Sequence, residues 1–227
     1  LLVLDKDSKL YKIYEKDKVA LNFELSKKQK DINVVNSESQ ADKIITIELY
    51  DELISKTDTP EYKMDHLIFT ILKEFPFRNE IGSFKYFTLK DFNKQKNKVN
   101  SIVIGSKRMF FFRNNYKTHK SFGDIINNIT NTKLKNKIKK YIKTNEINSG
   151  DFIFTNNKNE AYSNDAISLR LANTSNKFIN VKLSTSSIFK ILLANKSGST
   201  KEITDYINIM SKMRPTDSTT VIDNYVY

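Results

Sequence analysis

Phe110, Phe111 and Phe112 stand side by side in the run RMFFFRNNY at 108–116, and this run narrows the possible folds more than any other stretch of the chain. Three large apolar neighbours on a strand must mostly pack inward, so the run reads as sheet core in preference to a platform on which bases stack. Two more runs rich in aromatic and β-branched residues, FKYFTL at 84–89 and VNSIVIG at 99–105, precede it across polar turns. The three together predict a small three-stranded antiparallel sheet.

Helical periodicity surrounds that sheet. Ile44, Ile47, Leu49, Leu53 and Ile54 form one apolar stripe, with Ser37 or Ser39 as its expected cap and TDTPEY as its break. Met64, Leu67, Ile68, Ile71 and Leu72 form a second, which Pro76 stops just before Arg78. Downstream, INNITNTKLKNKIKKYIKTN sets Leu134, Ile138, Tyr141 and Ile142 along one side among lysines, a basic amphipathic helix. DFIF, DAISLRLAN, VKLSTSSIFKILLAN and KEITDYINIMSKM suggest further helices before RPTDSTT. The expected class is α+β, mostly helical with a small sheet, in a domain at 37–227. Residues 1–36, where short apolar pieces alternate with Lys/Asp clusters, read as an arm or the remnant of a preceding domain. The start at Leu1 rather than Met suggests that an upstream portion is missing.

Composition limits the chemistry. With 38 Lys+Arg against 26 Asp+Glu, the formal net charge is +12, so polyanions are attracted and nucleic acid is the first partner to consider. The bland alternative is an AT-rich genome that writes Lys and Asn freely onto a soluble surface. With 0 Cys, disulfides, thiolate catalysis and Cys-based zinc sites are excluded, and only His66 and His119 supply imidazoles. No apolar run approaches the ~18–20 residues that span a bilayer, so a soluble intracellular protein with no membrane partner is expected. P-loop, GxGxxG and HExxH patterns are absent, and Asp51/Glu52 and Asp58/Glu61 read as solvated carboxylates.

The contexts FPFRNE around Arg78, RNNYKTHKSFG around Lys117 and DNYVY around Tyr225 occur in an order that resembles the catalytic domain of the tyrosine recombinases, the phage-integrase-like family. The likeness runs from about Ser37 to Tyr227 and is greatest to the divergent forms of large DNA viruses and mobile elements. That family attacks a DNA phosphodiester with a tyrosine hydroxyl and needs no metal or cofactor. The resemblance implies Arg78 as first phosphate-binding arginine, with Glu80 near the family's following acid. It implies Lys117 as the acid for the departing oxygen and Tyr225 as the nucleophile, with Tyr227 as fallback. Two departures stand out. VKLSTSSIF places Ser184 and Thr185 where the family has its second arginine and histidine, and SKMRPTDS places Arg214 and Pro215 where it has a Met-Gly-His-like turn. Arg214, Lys182 or His119 are candidate substitutes.

Three functions follow as expectations. The first is a DNA-binding protein with a lost or impaired strand-transfer site, neutralising phosphates of duplex DNA through Lys107, Arg108, Arg113, Lys120, Lys133, Lys135, Lys139 and Lys140. The second is a repurposed structural protein of a large DNA virus, a minor capsid or assembly component whose partners are other viral proteins, residing in the host cell or the virion. The third is an active recombinase that uses Tyr225.

Overall fold

The computed structural model describes residues 45–196 and 199–216. The expected arm at 1–36, Ser37, Ser39, Tyr225 and Tyr227 lie outside the described residues. The first helix, α1 (Ile47–Lys56), starts where Thr46 takes extended backbone and its hydroxyl accepts from the Leu49 N–H at 3.3 Å, so Thr46 supplies the cap that Ser37 or Ser39 was expected to give. Its inner face is Tyr50 and Leu53, both fully buried, and the Tyr50 hydroxyl donates to the Phe69 carbonyl at 2.9 Å. Phe69 belongs to α2 (Lys63–Glu74), where the expected stripe of Leu67, Ile68, Ile71 and Leu72 is buried. Burying each such side chain is worth about 1.5–3 kcal/mol.

At Phe75 the backbone turns extended and Pro76 follows, ending α2 as the sequence predicts. Phe77 is buried, and Arg78 opens a 3-10 turn at Asn79–Ser83. Gly82 lets that turn press on the next layer, since an added Cβ would lie 3.0 Å from the Tyr162 carbonyl oxygen. Tyr162 immediately precedes α6 (Asn164–Ile179), which Ser163 caps.

The sheet has four strands, β1 (Lys85–Thr88), β2 (Ser101–Ile104), β3 (Met109–Arg113) and β4 (Ile125–Asn128), in the order β1-β2-β3-β4. The expected strand runs all contribute, but β1 pairs with β2 in parallel, Lys85 beside Ser101 and Thr88 beside Ile104. The cause is the connection at 89–100, which holds the short helix α3 (Leu89–Lys94) and is long enough for a crossover where a tight antiparallel turn was expected. β3 runs antiparallel to both β2 and β4. β4, unexpected from the sequence, is the edge strand IINN; its asparagines disfavour strands, which hid it in the stretch read as helix. The other edge is covered by DFIF, also read as helical. Tyr86 donates its N–H to the Asp151 carbonyl at 2.9 Å, and Ile153 donates to Phe84 at 2.9 Å.

The three phenylalanines divide between the two faces of the sheet. Phe110 and Phe112 pack with Phe87, Phe92 and Val103 beneath α3. Phe111 faces the helical layer, its ring 5.0 Å from that of Phe75 and 4.9 Å from that of Phe77. After β3 come the one-turn helix α4 (His119–Phe122) and, beyond β4, the basic helix α5 (Thr132–Thr144). The Asn131 side chain caps α5 by accepting from the Lys133 and Leu134 N–H groups. Leu134, Ile138 and Ile142 are its buried stripe, packed on α2. Two further helices, α7 (Thr185–Ala194) and α8 (Thr200–Met213), each begin with a serine capping box. No described helix is long and apolar enough to cross a membrane.

Candidate functional site

The 3-10 turn after α2, the segment after β3, the start of α7 and the end of α8 meet around a cleft of about 630 Å³. Arg78 and Lys117 both line it, although 39 positions separate them in the sequence, and so does Arg214. Arg78 is half-buried at the head of its turn, and its Nη2 donates to Thr216 Oγ1 at 3.0 Å. Lys117 is exposed at the far end of the β3 connection. The loop that closes α8 is pinned from both sides, because the Thr118 hydroxyl donates to the Pro215 carbonyl at 2.7 Å.

Arg214 is 3 % exposed, and its guanidinium is committed to main chain. Nη1 donates to the carbonyls of Pro76, Phe77 and Thr185 at 3.1–3.2 Å, and Nη2 donates to Ser186 Oγ at 2.9 Å. A guanidinium therefore reaches the first turn of α7, where the recombinase resemblance expects the second arginine. The side chains native to that turn are occupied. Ser184 Oγ accepts the Ser187 N–H at 3.0 Å as part of the α7 cap, and Thr185 Oγ1 donates to Asn79 Oδ1 at 3.1 Å. Neither of the other candidate substitutes lines the cleft. Lys182 is exposed elsewhere, and His119 turns its Nε2 to Asp124 Oδ1 at 3.0 Å.

Arg113 corrects an expectation. Proposed from sequence as a phosphate contact, it is fully buried, so it offers no surface to a polyanion. Its Nη1 lies 3.3 Å from Glu80 Oε1, its Nη2 donates to the Met213 carbonyl at 2.6 Å and to Asn127 Oδ1 at 3.1 Å, and its guanidinium covers the Phe77 ring at 4.5 Å. Burial lowers its pKa from the ordinary arginine value, and the Glu80 carboxylate opposes that. Arg113 thus joins β3, the Glu80 turn and the end of α8 directly behind the cleft. Strand alternation held the signal, since Arg113 follows Phe111 by two and shares its inward face.

The other basic residues are accessible to differing degrees. Lys107 and Arg108 are exposed in the β2–β3 turn, Lys120 is exposed on α4, Lys133, Lys139 and Lys140 are exposed on α5, and Lys135 is half-buried there. Among the described residues, the tyrosine that lines the cleft is Tyr116. Its hydroxyl donates to the Gly123 carbonyl, and burial pushes its pKa up, both of which hold the phenol neutral. Sequence reasoning missed this residue and Ser186.

No protein-family model matches the sequence, and no curated protein matches it. Among solved structures, the chain is similar to the crystal structure of XerA recombinase, at 13% sequence identity and a TM-score of 0.56, over 81% of this chain. The match spans 58% of the length of that chain. At this identity the likeness concerns the fold, and the α+β body described above resembles the catalytic domain of a tyrosine recombinase.

Proposed function

We propose that this chain is a recombinase-like DNA-binding protein whose strand-cleaving chemistry is lost or strongly impaired. One observation carries the reading. Arg78 and Lys117 share a single cleft, while the remaining positions expected to stabilise a phosphate transition state are spent on holding the fold. Ser184 caps α7, Thr185 binds Asn79, and Pro215 has no N–H to give. Arg214 brings a guanidinium back to the same place but delivers it to three carbonyls. Losing one preorganised donor from such a site costs about 2.7–4 kcal/mol, or ~10²–10³ in rate. Two losses leave the first-arginine and lysine positions as anchors for a backbone phosphate, with the exposed lysines of α4, α5 and the β2–β3 turn adding sequence-independent attraction. A viral or mobile-element origin fits the divergent form of the family that the sequence resembles, with duplex DNA as partner.

The test is binding of the full chain to duplex DNA across a salt series, together with a nicked suicide substrate read on a denaturing gel. A complex that weakens steeply with salt and leaves no covalent adduct is the expected result. An adduct that disappears in Tyr225→Phe would instead restore an active recombinase. Failure to bind at low salt would move the reading to a structural role for the same fold.

A further inference from the structure

A second cavity, of about 510 Å³, opens between the start of α2 and the outer face of α5 and shares no lining residue with the Arg78 cleft. Its apolar lining is Leu67, Pro60 and the Tyr141 ring. Three lysines, Lys63, Lys137 and Lys140, line it against one carboxylate, Asp58. Its electrostatic character is therefore cationic around an apolar base, the combination that holds an anion with a hydrocarbon or ring body.

His66 makes this more than a patch of surface lysines. It is 8 % exposed on α2, and its Nδ1 lies 2.8 Å from the Ile54 carbonyl oxygen, which accepts only from a protonated nitrogen. That bond leaves Nε2 as the acceptor, and Nε2 takes a hydrogen bond from the Lys137 ammonium. The imidazole thus holds Lys137 at the wall of the cavity. Asp58 stands 3.9 Å from Nε2 at the exposed rim. Among the described residues Lys137 has no carboxylate ion pair. His66 thereby adds a polar link between α2 and α5 to their apolar packing, and it places Lys137 at the wall of the cavity.

We propose that this cavity is a binding site for a phosphate monoester carried on an apolar or ring-shaped body, with Lys137, oriented by His66, as its principal phosphate donor and Lys63 and Lys140 as flanking charges. The Tyr141 ring and Leu67 receive the body. A free small molecule and the 5′-phosphate end of a nucleic-acid strand carry the same group. The site does not depend on the Arg78 cleft binding DNA.

The chain contains 2 His, so the imidazole region of a ¹H–¹⁵N spectrum separates His66 from His119 and reports on the cavity directly. Titration of the full chain with phenyl phosphate is expected to shift the His66 signals saturably and leave those of His119 in place. Inorganic phosphate should bind about 10-fold more weakly for lack of the apolar body, and Lys137→Gln should weaken phenyl phosphate about 10-fold or more. Lys140→Gln, at an exposed position, provides a second variant should Lys137→Gln disturb the fold. Displacement of phenyl phosphate by an oligonucleotide bearing a 5′-phosphate, but not by its 5′-hydroxyl twin, assigns the strand end as the source; displacement by neither assigns a free small molecule. Absence of a saturable His66 shift, equal affinity for phenyl and inorganic phosphate, or affinity unchanged in both lysine variants would each overturn the site.

Discussion

Arg214 Nη1 donates to the carbonyl oxygen of Thr185 at 3.1 Å, tying the end of α8 to the first residue of α7. The same nitrogen serves Pro76 and Phe77, so one side chain holds together the segments that carry Arg78, the α7 cap and the route out of α8. Arg214 is thus part of the scaffold behind the cleft that Arg78 and Lys117 line.

Arg214→Met should therefore destabilise the protein by at least about 3 kcal/mol, because several buried carbonyls lose their donor together. Arg214→Lys should recover only part of that, since one ammonium cannot reproduce the planar fork that reaches Thr185 and Ser186 at once. Urea denaturation of the two variants checks this. A loss below about 1 kcal/mol in Arg214→Met would show that the clamp is dispensable.

The Glu80–Arg113 pair is expected to behave as a buried ion pair. Glu80→Ala strands the Arg113 guanidinium in a fully buried position and should cost about 3–5 kcal/mol. The double variant Glu80→Leu with Arg113→Met should be milder than the two single losses added together, though the Met213 and Asn127 contacts go with it. A double-mutant cycle with coupling under about 0.5 kcal/mol would contradict the pairing.

Much of this was legible in the sequence. The α2 stripe, the stop at Pro76 and the β1, β2 and β3 runs are written in the local sequence, and Arg78 and Lys117, paired there by resemblance alone, both line one cleft. The parallel β1–β2 pairing was not legible, because α3 is a six-residue helix with only Leu89 and Phe92 apolar and reads as a turn. Nor was β4, whose pairing to β3 comes from tertiary position and not from propensity. Charge counting misplaced Arg113, since net charge says nothing about which guanidinium is needed indoors. The commitment of Arg214 to three carbonyls is a relation among residues far apart in sequence, and no local pattern announces it.

Alkaline pH should loosen the fold through Tyr141. Burial pushes its pKa up to about 12, while the Arg170 guanidinium opposes the shift. An unfolded tyrosine releases its proton near the ordinary value of about 10, so above that pH the folded state binds more protons than the unfolded one. Stability contributed by the neutral phenol is intact below about pH 10 and declines as pH rises toward about 12. Fully buried Tyr50 shifts in the same direction, again chiefly by burial. Urea midpoints measured from about pH 9 to pH 11 should fall less steeply in Tyr141→Phe than in the unaltered chain. Parallel slopes in the two proteins would remove Tyr141 from the cause.

The proposed DNA contacts on α5 have a distinctive signature in salt. Lys133 and Lys139 are exposed on a helix whose apolar stripe is turned inward to α2, so their ammonium groups are available to phosphate without disturbing the core. Each lysine that neutralises one duplex phosphate contributes about 0.9 to the slope of log K against log salt. Lys133→Gln with Lys139→Gln should lower the magnitude of that slope by about 2 and weaken all duplex sequences alike, as backbone contacts do. Lys177 is exposed on α6 beside Glu61 and Tyr62, and Lys177→Gln should leave the slope unchanged. Equal losses in the α5 and α6 variants would mean that binding responds to net charge alone. An unchanged slope in the α5 double variant would place the DNA on another face of the protein.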